Sequence, residues 1–446
     1  MKFVLPPTVM SAVSLLFADF MALKSRLENP FAPHDGVLPE PPDIFNPILR
    51  FAVCSDIHNR NDRFCAMMDA CYAYADAAAG YRKLDAVLIG GDFTNSGFYD
   101  EMVQFKAALD ASLRRETVPI LCIGNHEYFA CKRRNETEYG TTEQKFRAVF
   151  GAEPDAVYQI NGFTFLAASY DESGKHFFGR EKRGFYRQAL KTARLHSREK
   201  PIFVLQHPHP ALTVYGSWYW ADFTTGRLWR KTPNVVNFSG HSHYPMNDPR
   251  SIWQGSYTAL GTGSLKYFEI EKELRCGFYG SVPDAAAQFY IVEADAKGSL
   301  MIRCYDLNTA SFFGAPYYID KPADKGSYRY TYQNQRRADA SPAFPPSPVF
   351  SLTQDCRGNH LLTFSVAADR FAVHDYKIKV QDIFGRTVYS DSHLSEYYLL
   401  SRDSRYITVN LGRRLQKGRE YTISVWACNC YYRLSKPMKK RFLVAE

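Results

Sequence analysis

Long apolar runs are missing from this chain. No run among its 446 residues reaches the roughly eighteen apolar residues of a membrane span. No internal repeat is present, which excludes a repeat architecture. The ten cysteines have no regular spacing, so no disulfide framework is legible, and this usage fits a reducing, cytoplasmic compartment. Cys54 and Cys122 fall in apolar runs and read as small core residues. Cys428 and Cys430 are two apart on an expected strand, share a face, and fit poorly as a mutual disulfide. Clustered charge is lacking as well. The net charge is +9 and the pI about 8.9, but Lys and Arg are scattered. The balance reads as a solvated basic surface that suits anionic substrates and implies no specific nucleic-acid partner.

What is present is a globular composition, 46% hydrophobic and 23% charged, long enough for two or three domains. Lys2 followed by an apolar stretch has some features of a secretory signal, but Pro6-Pro7 interrupts it and no small-x-small cleavage site follows. Val9, Val13, Leu16, Phe20, Leu23 and Leu27 recur at spacings of four and three, which predicts an amphipathic helix that runs past any signal. Residues 1–47 are therefore expected to be this helix plus a Pro-rich connector.

From residue 48 short apolar runs alternate with helix-prone segments at Asp62–Tyr81, Phe98–Arg115 and Glu181–Arg198, the arrangement of parallel βαβ units. Tyr158–Ala168 reads as a hairpin turning at Asn161-Gly162, and a second hairpin is expected at Gln288–Tyr305. This unit spans 48–334, and a Pro-rich linker covers 335–348. Residues 349–446 alternate in the manner of short β-strands. Leu415–Ala427, with Tyr421 after a leucine turn, resembles the late strands of a fibronectin type III domain; a generic immunoglobulin-like sandwich is the alternative.

Five apolar runs each deliver Asp, Asn or His just past their last residue. Leu49–Ser55 runs into Asp56-Ile57-His58, and Ala86–Gly90 into Gly91-Asp92. Pro119–Ile123 runs into Gly124-Asn125-His126-Glu127, Pro201–Gln206 into His207, and Val235–Ser239 into Gly240-His241-Ser242-His243. Ligands of α/β sheets collect beyond the carboxyl ends of strands. Asp56, His58, Asp92, Asn125, His207, His241 and His243 are borderline-to-hard donors suited to Fe, Mn or Zn, too many for one ion and enough for two. In His207-Pro208-His209-Pro210 either histidine is eligible, and His207 is preferred because it follows the strand directly. Two ions about 3.5–4 Å apart clamp a phosphate ester and supply hydroxide at neutral pH.

The order D-x-H, G-D, G-N-H-E, H, G-H-x-H over Phe51–His243 resembles the metallophosphoesterases, the superfamily of calcineurin and the purple acid phosphatases. That resemblance implies a four-layer α/β/β/α sandwich, followed here by the all-β immunoglobulin or fibronectin III-like sandwich. It also implies that Asp56, His58, Asp92 and His243 hold one divalent ion and that Asn125, His207 and His241 hold a second, with Asp92 bridging. His126 takes the catalytic position, at the phosphoryl group or the leaving oxygen. Glu127 is expected to support its loop or a ligand rather than bind metal. The chain departs from the phosphoprotein phosphatases of that superfamily: Asn95 stands where an aspartate would pair with the catalytic histidine, and Ser96 where an arginine would grip phosphate. Purple acid phosphatases carry a tyrosine ligand, and the residue after Asp92 is Phe93.

Candidate substrate contacts are Asn95, Tyr128, Tyr215 and Trp218. The last two belong to the aromatic run Tyr215–Trp229, which either stacks on substrate or caps the site. The expected activity is hydrolysis of a small phosphate ester or nucleotide. A phosphodiesterase or nucleotide-pyrophosphate hydrolase is the alternative within enzymes, and a binding scaffold on the same fold the alternative outside them. Glycan or protein is the partner class open to the C-terminal sandwich.

Overall fold

A computed structural model describes residues 7–134, 136, 138–171, 178–272, 274, 285–401 and 404–444. Lys2 to Pro6, on which the signal-like reading rests, lie outside the described residues, as does Ala445 at the end of the last expected strand. The chain clusters into two units, one of Lys24–Ile270 and Ser281–Gln335, the other of Met1–Leu23, Glu271–Gly280 and Arg336–Glu446.

The first unit is built on two six-stranded sheets. One is ordered Ser311–Ile319, Leu300–Asp306, Gln288–Asp295, Pro47–Cys54, Ala86–Ile89, Val118–Leu121. Its last three strands are parallel, and Cys54, Ile89 and Leu121 lie in register, so three successive loops leave the sheet at one level. The other is ordered Ile252–Gln254, Thr258–Gly261, Val235–Ser239, Ile202–Gln206, Phe163–Ala168, Ala156–Ile160. There Gln206, Ser239 and Gly261 end parallel strands in register.

Strands buried on both faces need apolar residues at odd and even positions alike, which is why these runs lack alternation. Phe51, Val53, Leu88 and Ile120 face Phe165, Phe203, Val236 and Phe238 between the sheets, with the Phe51 ring 4.7 Å from Phe203 and 5.2 Å from Phe165. Ala52, Cys54, Val87 and Ile89 point the other way, onto Phe64, Met67, Met68 and Cys71 of the Asn61–Ala77 helix and Met102, Phe105 and Leu109 of the Tyr99–Ser112 helix. On the second sheet Leu166 and Val204 meet Tyr186, Leu190 and Ala193 of the Arg180–His196 helix. The layers are thus helix, sheet, sheet, helix, the metallophosphoesterase architecture. The Asn161-Gly162 turn has φ of 52° and 77°, the left-handed pair that a tight hairpin requires.

The other unit holds an all-antiparallel β region. Phe350–Gln354, His360–Ser365 and Tyr406–Gly412 form a three-stranded sheet. Thr387–Leu394, Val373–Asp382, Glu420–Asn429 and Met438–Leu443 form a four-stranded one. Leu362, Phe364, Tyr376, Ile378, Val380, Ile423 and Val425 share one core. The Tyr421 hydroxyl accepts the Gln416 N–H at 3.0 Å.

The Pro7–Glu28 helix forms, but its apolar stripe does not pack. Val13, Leu16, Phe20, Leu23 and Leu27 are exposed, while Ser14, Ala18, Met21, Ala22 and Ser25 are buried. The buried face thus carries mostly small side chains.

No helix among the described residues is long and apolar enough to cross a membrane. Cys54, Cys65, Cys71, Cys122, Cys131, Cys304 and Cys356 are free thiols.

Candidate metal centre

The five strand ends converge. Asp56, His58, Asp92, His241 and His243 all adopt left-handed φ, between 46° and 73°, directly beyond their strands. Such backbone costs a non-glycine residue about 1 kcal/mol or more. It turns the side chain sharply out of the strand direction, and the convergence of acids and imidazoles offsets the strain. Glycines make the close approach feasible. A Cβ on Gly124 would stand 2.6 Å from the Asp92 nitrogen, and one on Gly240 would collide with Ser55 and the Asp56 carboxylate.

Asp56, His58, Asp92 and His243 bring one donor atom each within 4.8 Å of the others, and Asp92, His207 and His241 form a second such group, so Asp92 belongs to both. All six of these side chains are buried. His243 Nε2 lies 3.0 Å from Asp56 Oδ1 and 3.2 Å from His58 Nε2. His58 Nε2 lies 4.0 Å from Asp92 Oδ2, and His207 Nε2 lies 3.1 Å from the same oxygen. Donors bound at about 2.0–2.2 Å around one ion sit roughly 3–4 Å apart, so these spacings fit. Asp56 Oδ1 is buried with no donor in hydrogen-bond geometry, although His243 Nε2 stands 3.0 Å away, and a cation between the two would satisfy both. Asn125 Oδ1 lies 2.9 Å from His207 Nε2, beside the second group.

Outer contacts fix the rings. His207 Nδ1 donates to Gly90 O at 2.7 Å, and His243 Nδ1 lies 3.2 Å from Tyr267 O, which leaves each Nε2 aimed inward. His209 spends both nitrogens on hydroxyls, Ser239 at 2.8 Å and Ser242 at 2.7 Å, and burial pushes its pKa down to about 3. It is a core histidine beside the centre. Ser55 and the His241 N–H both bond Asp56 Oδ2.

The electrostatics are those of a site that demands positive charge. Burial opposes ionisation of Asp56, but His243 and His207 outweigh it and hold the carboxyl below the ordinary range. Asp92 is likewise held well below that range, by His207 and His126 against burial. Burial disfavours the charged form of His207, yet Asp92 prevails and raises its pKa to about 9. His58 is driven down by burial and by the charge of His243.

His126 differs from the other histidines of the centre. Its side chain is 23% exposed, with Nε2 3.8 Å from Asp92 Oδ2 and Nδ1 2.7 Å from Asn95 O. Its own N–H donates to Asp92 Oδ1 at 2.8 Å, so the ring stands at the mouth while its backbone grips the shared carboxylate.

Glu127 points away from the donors and is buried. One carboxylate oxygen accepts the N–H groups of Asp92 and Gly124 at 2.9 and 2.7 Å, the other the Thr94 N–H and hydroxyl at 2.9 Å each. It ties the Asp92 loop to the Asn125 loop. Burial and the charge of Asp92 push its pKa up to about 7.

Of the expected substrate contacts, Asn95 stands exposed at the rim and Trp218 is half-buried. Tyr128 and Tyr215 are buried. Tyr128 is 1% exposed, with its hydroxyl donating to Glu143 and to Tyr170 O. Tyr215 is 5% exposed under the Arg250 guanidinium, 3.7 Å from the ring. Each aromatic turns inward because a polar partner waits in the interior.

The centre has further neighbours, of which only Trp220, inside the aromatic run Tyr215–Trp229, carried a sequence signal. Trp220 packs edge-on against His241 at 5.0 Å, and Tyr267 lies on His243 at 4.1 Å. Lys266 reaches the His58 carbonyl, and Ser264 bonds the Asp56 carbonyl.

Residues 49–245 match the family model described as calcineurin-like phosphoesterase, a span that contains every donor named above. No curated protein matches. Among solved structures, a purple acid phosphatase from yellow lupin (Lupinus luteus) seeds is similar over 65% of this chain and 55% of its own, at 14% identity and TM-score 0.41. A 5'-nucleotidase precursor from Thermus thermophilus is similar over 61% and 55%, at 15% identity and TM-score 0.32. A protein serine/threonine phosphatase from Saccharomyces cerevisiae is similar over 72% and 94%, at 14% identity and TM-score 0.29. The chain thus spans about half the length of the first two.

Proposed function

We propose that this chain, whose residues 49–245 form a calcineurin-like metallophosphoesterase domain and make it a phosphoric ester hydrolase, works with two divalent ions on a small phosphate ester. Asp56, His58, Asp92 and His243 would hold one ion and Asn125, His207 and His241 the other, with Asp92 shared. The observation that carries this reading is the Asp92 carboxylate standing in both donor groups. Fe, Mn and Zn all suit such donors. When bound, the ions neutralise phosphoryl charge and lower the pKa of water.

The chain's own residues do the rest. His126, anchored through Nδ1 on Asn95 O, presents Nε2 at the mouth and passes a proton to the departing ester oxygen. Glu127 keeps the Asp92 and Asn125 loops at fixed separation. The left-handed turns hold the donors converged before any ion arrives, so little rearrangement accompanies binding.

The C-terminal β region is read as a fibronectin III-like sandwich, on its three- and four-stranded antiparallel sheets and the Tyr421 hydroxyl bond. The free thiols of Cys54, Cys65, Cys71, Cys122, Cys131, Cys304 and Cys356 support a reducing compartment.

The test is a pair of esters with one leaving group, 4-nitrophenyl phosphate and bis(4-nitrophenyl) phosphate, given to the metal-loaded full chain. Turnover of the monoester that stops on chelation and returns with metal is expected. Turnover of the diester alone would favour the phosphodiesterase alternative. No turnover of either, with both sites filled, would leave a binding scaffold.

A further inference from the structure

The Pro7–Glu28 helix presents its apolar stripe outward. Leu16, Phe20, Leu23 and Leu27 are between 50% and 74% exposed, whereas Ala18 and Ser25, on the opposite side, are buried. Spacings of three and four alternate from Val13 to Leu27 and place these residues at the seam positions of a two-stranded coiled coil. Two such stripes face to face would bury roughly 1,000 Å² of total surface, where specific interfaces begin. Leu16, Phe20, Leu23 and Leu27 are spaced four, three and four, a pattern that is the same in both directions. An antiparallel copy therefore sets Leu16 against Leu27 and Phe20 against Leu23, and a two-fold axis between residues 21 and 22 repeats both contacts.

Charge decides the orientation. In the antiparallel pair Asp19 of each chain flanks Arg26 of the other. Both residues are exposed, and the Asp19 side chain, although it accepts Arg336 at 2.7 Å, is 64% exposed. A parallel pair would need Lys24 in place of Arg26. The Lys24 amine is already spent, on Glu28 at 2.7 Å and on Leu212 O at 2.9 Å. A parallel pair would also force the two Phe20 rings onto each other. The borders of the stripe carry charge of both signs, which suits a self-complementary protein partner, whereas a helix that lies on lipid has a polar face rich in Lys and Arg. We infer that the stripe is the docking surface for a second copy of this chain, bound as an antiparallel helix pair with Asp19 against Arg26.

The experiment is sedimentation velocity of the full chain over concentrations on the order of 1–100 µM. The 51.0 kDa chain should exchange with a species of twice that mass as concentration rises. Leu23→Glu, which buries a carboxylate against Phe20, should raise the dissociation constant on the order of 100-fold. Arg26→Asp, which turns two attractive pairs into repulsive ones, should raise it about 5- to 30-fold, and adding Asp19→Arg in the same chain should restore most of the loss. Should Leu23→Glu fail to fold, Leu16→Glu, in the layer facing Leu27, carries the decision. Dimers that both Glu variants leave intact would place the contact elsewhere and overturn the proposal. An Arg26→Asp loss that the double variant does not restore would overturn the antiparallel arrangement. A wild-type chain that is monomeric at every concentration would overturn it too, and flotation of that monomer with phosphatidylglycerol vesicles would give the stripe to a lipid surface.

Discussion

Replacing Glu127 by glutamine changes one oxygen to an NH2 group and nothing in shape. The carboxylate receives four donors: the N–H groups of Asp92 and Gly124 on one oxygen, and the N–H and hydroxyl of Thr94 on the other. Whichever oxygen becomes the amide nitrogen, two of those donors lose their acceptor and face another donor. The site is fully buried, so water does not compensate. Each stranded buried donor costs about 1–3 kcal/mol, which gives roughly 2–6 kcal/mol for Glu127→Gln. The Asp92 and Asn125 loops, which supply both donor groups, would lose their common anchor. Guanidinium unfolding of the metal-free protein should show a lower midpoint at an unchanged slope. Competition against a chromophoric chelator should show weaker binding at both sites. A stability loss below about 0.5 kcal/mol, the size of an ordinary surface change, together with wild-type metal affinity would refute the clamp.

Asp92→Ala should abolish binding of both ions together, whereas His243→Ala should weaken mainly one; elemental analysis of the purified variants distinguishes these outcomes. His126→Asn should leave the metals bound and lower the rate on the order of 10²–10⁴-fold with alkyl phosphates, but far less with an acidic phenol leaving group; a uniform loss across graded esters would make His126 a charge stabiliser without proton transfer. In the β region, burial opposes ionisation of Asp375, but Lys377 and His374 outweigh it and hold the carboxyl below the ordinary range. Its stabilising contribution is therefore present above the unfolded pKa of about 3.9 and is lost as pH falls through the lower folded value. Asp375→Asn, which removes one partner of the buried pair with Lys377 at 2.9 Å, should cost about 3–5 kcal/mol at pH 7 and flatten the acid limb of the stability curve, read from urea melts at stepped pH.

Most of the donor set was legible in sequence because each donor lies within four residues of the end of an apolar strand. Cys54 precedes Asp56 by two positions, and Ser239 precedes His241 by two. Local order sufficed there, since parallel strands in register bring their ends together without further information. Lys266 and Tyr267 were illegible for the opposite reason. They reach the centre through Ser264, which bonds a residue 208 positions away, and no spacing records such a contact. Tyr128 and Tyr215 sit beside motif loops, but Glu143 and Arg250 draw them into the interior. The Pro7–Glu28 helix was legible from its apolar spacing, but hydropathy does not say which face is buried, and the stripe from Val13 to Leu27 is exposed.

The central claim is that Asp92 joins two metal sites, and counting ions per chain tests it most directly. The purified full-length protein, saturated with Mn or Zn and freed of loosely held ions, is assayed for metal and protein by elemental analysis of the same sample. Two ions per wild-type chain, falling to none in Asp92→Ala, is the predicted result. One ion per wild-type chain at saturation would contradict the shared carboxylate and the dinuclear account built on it.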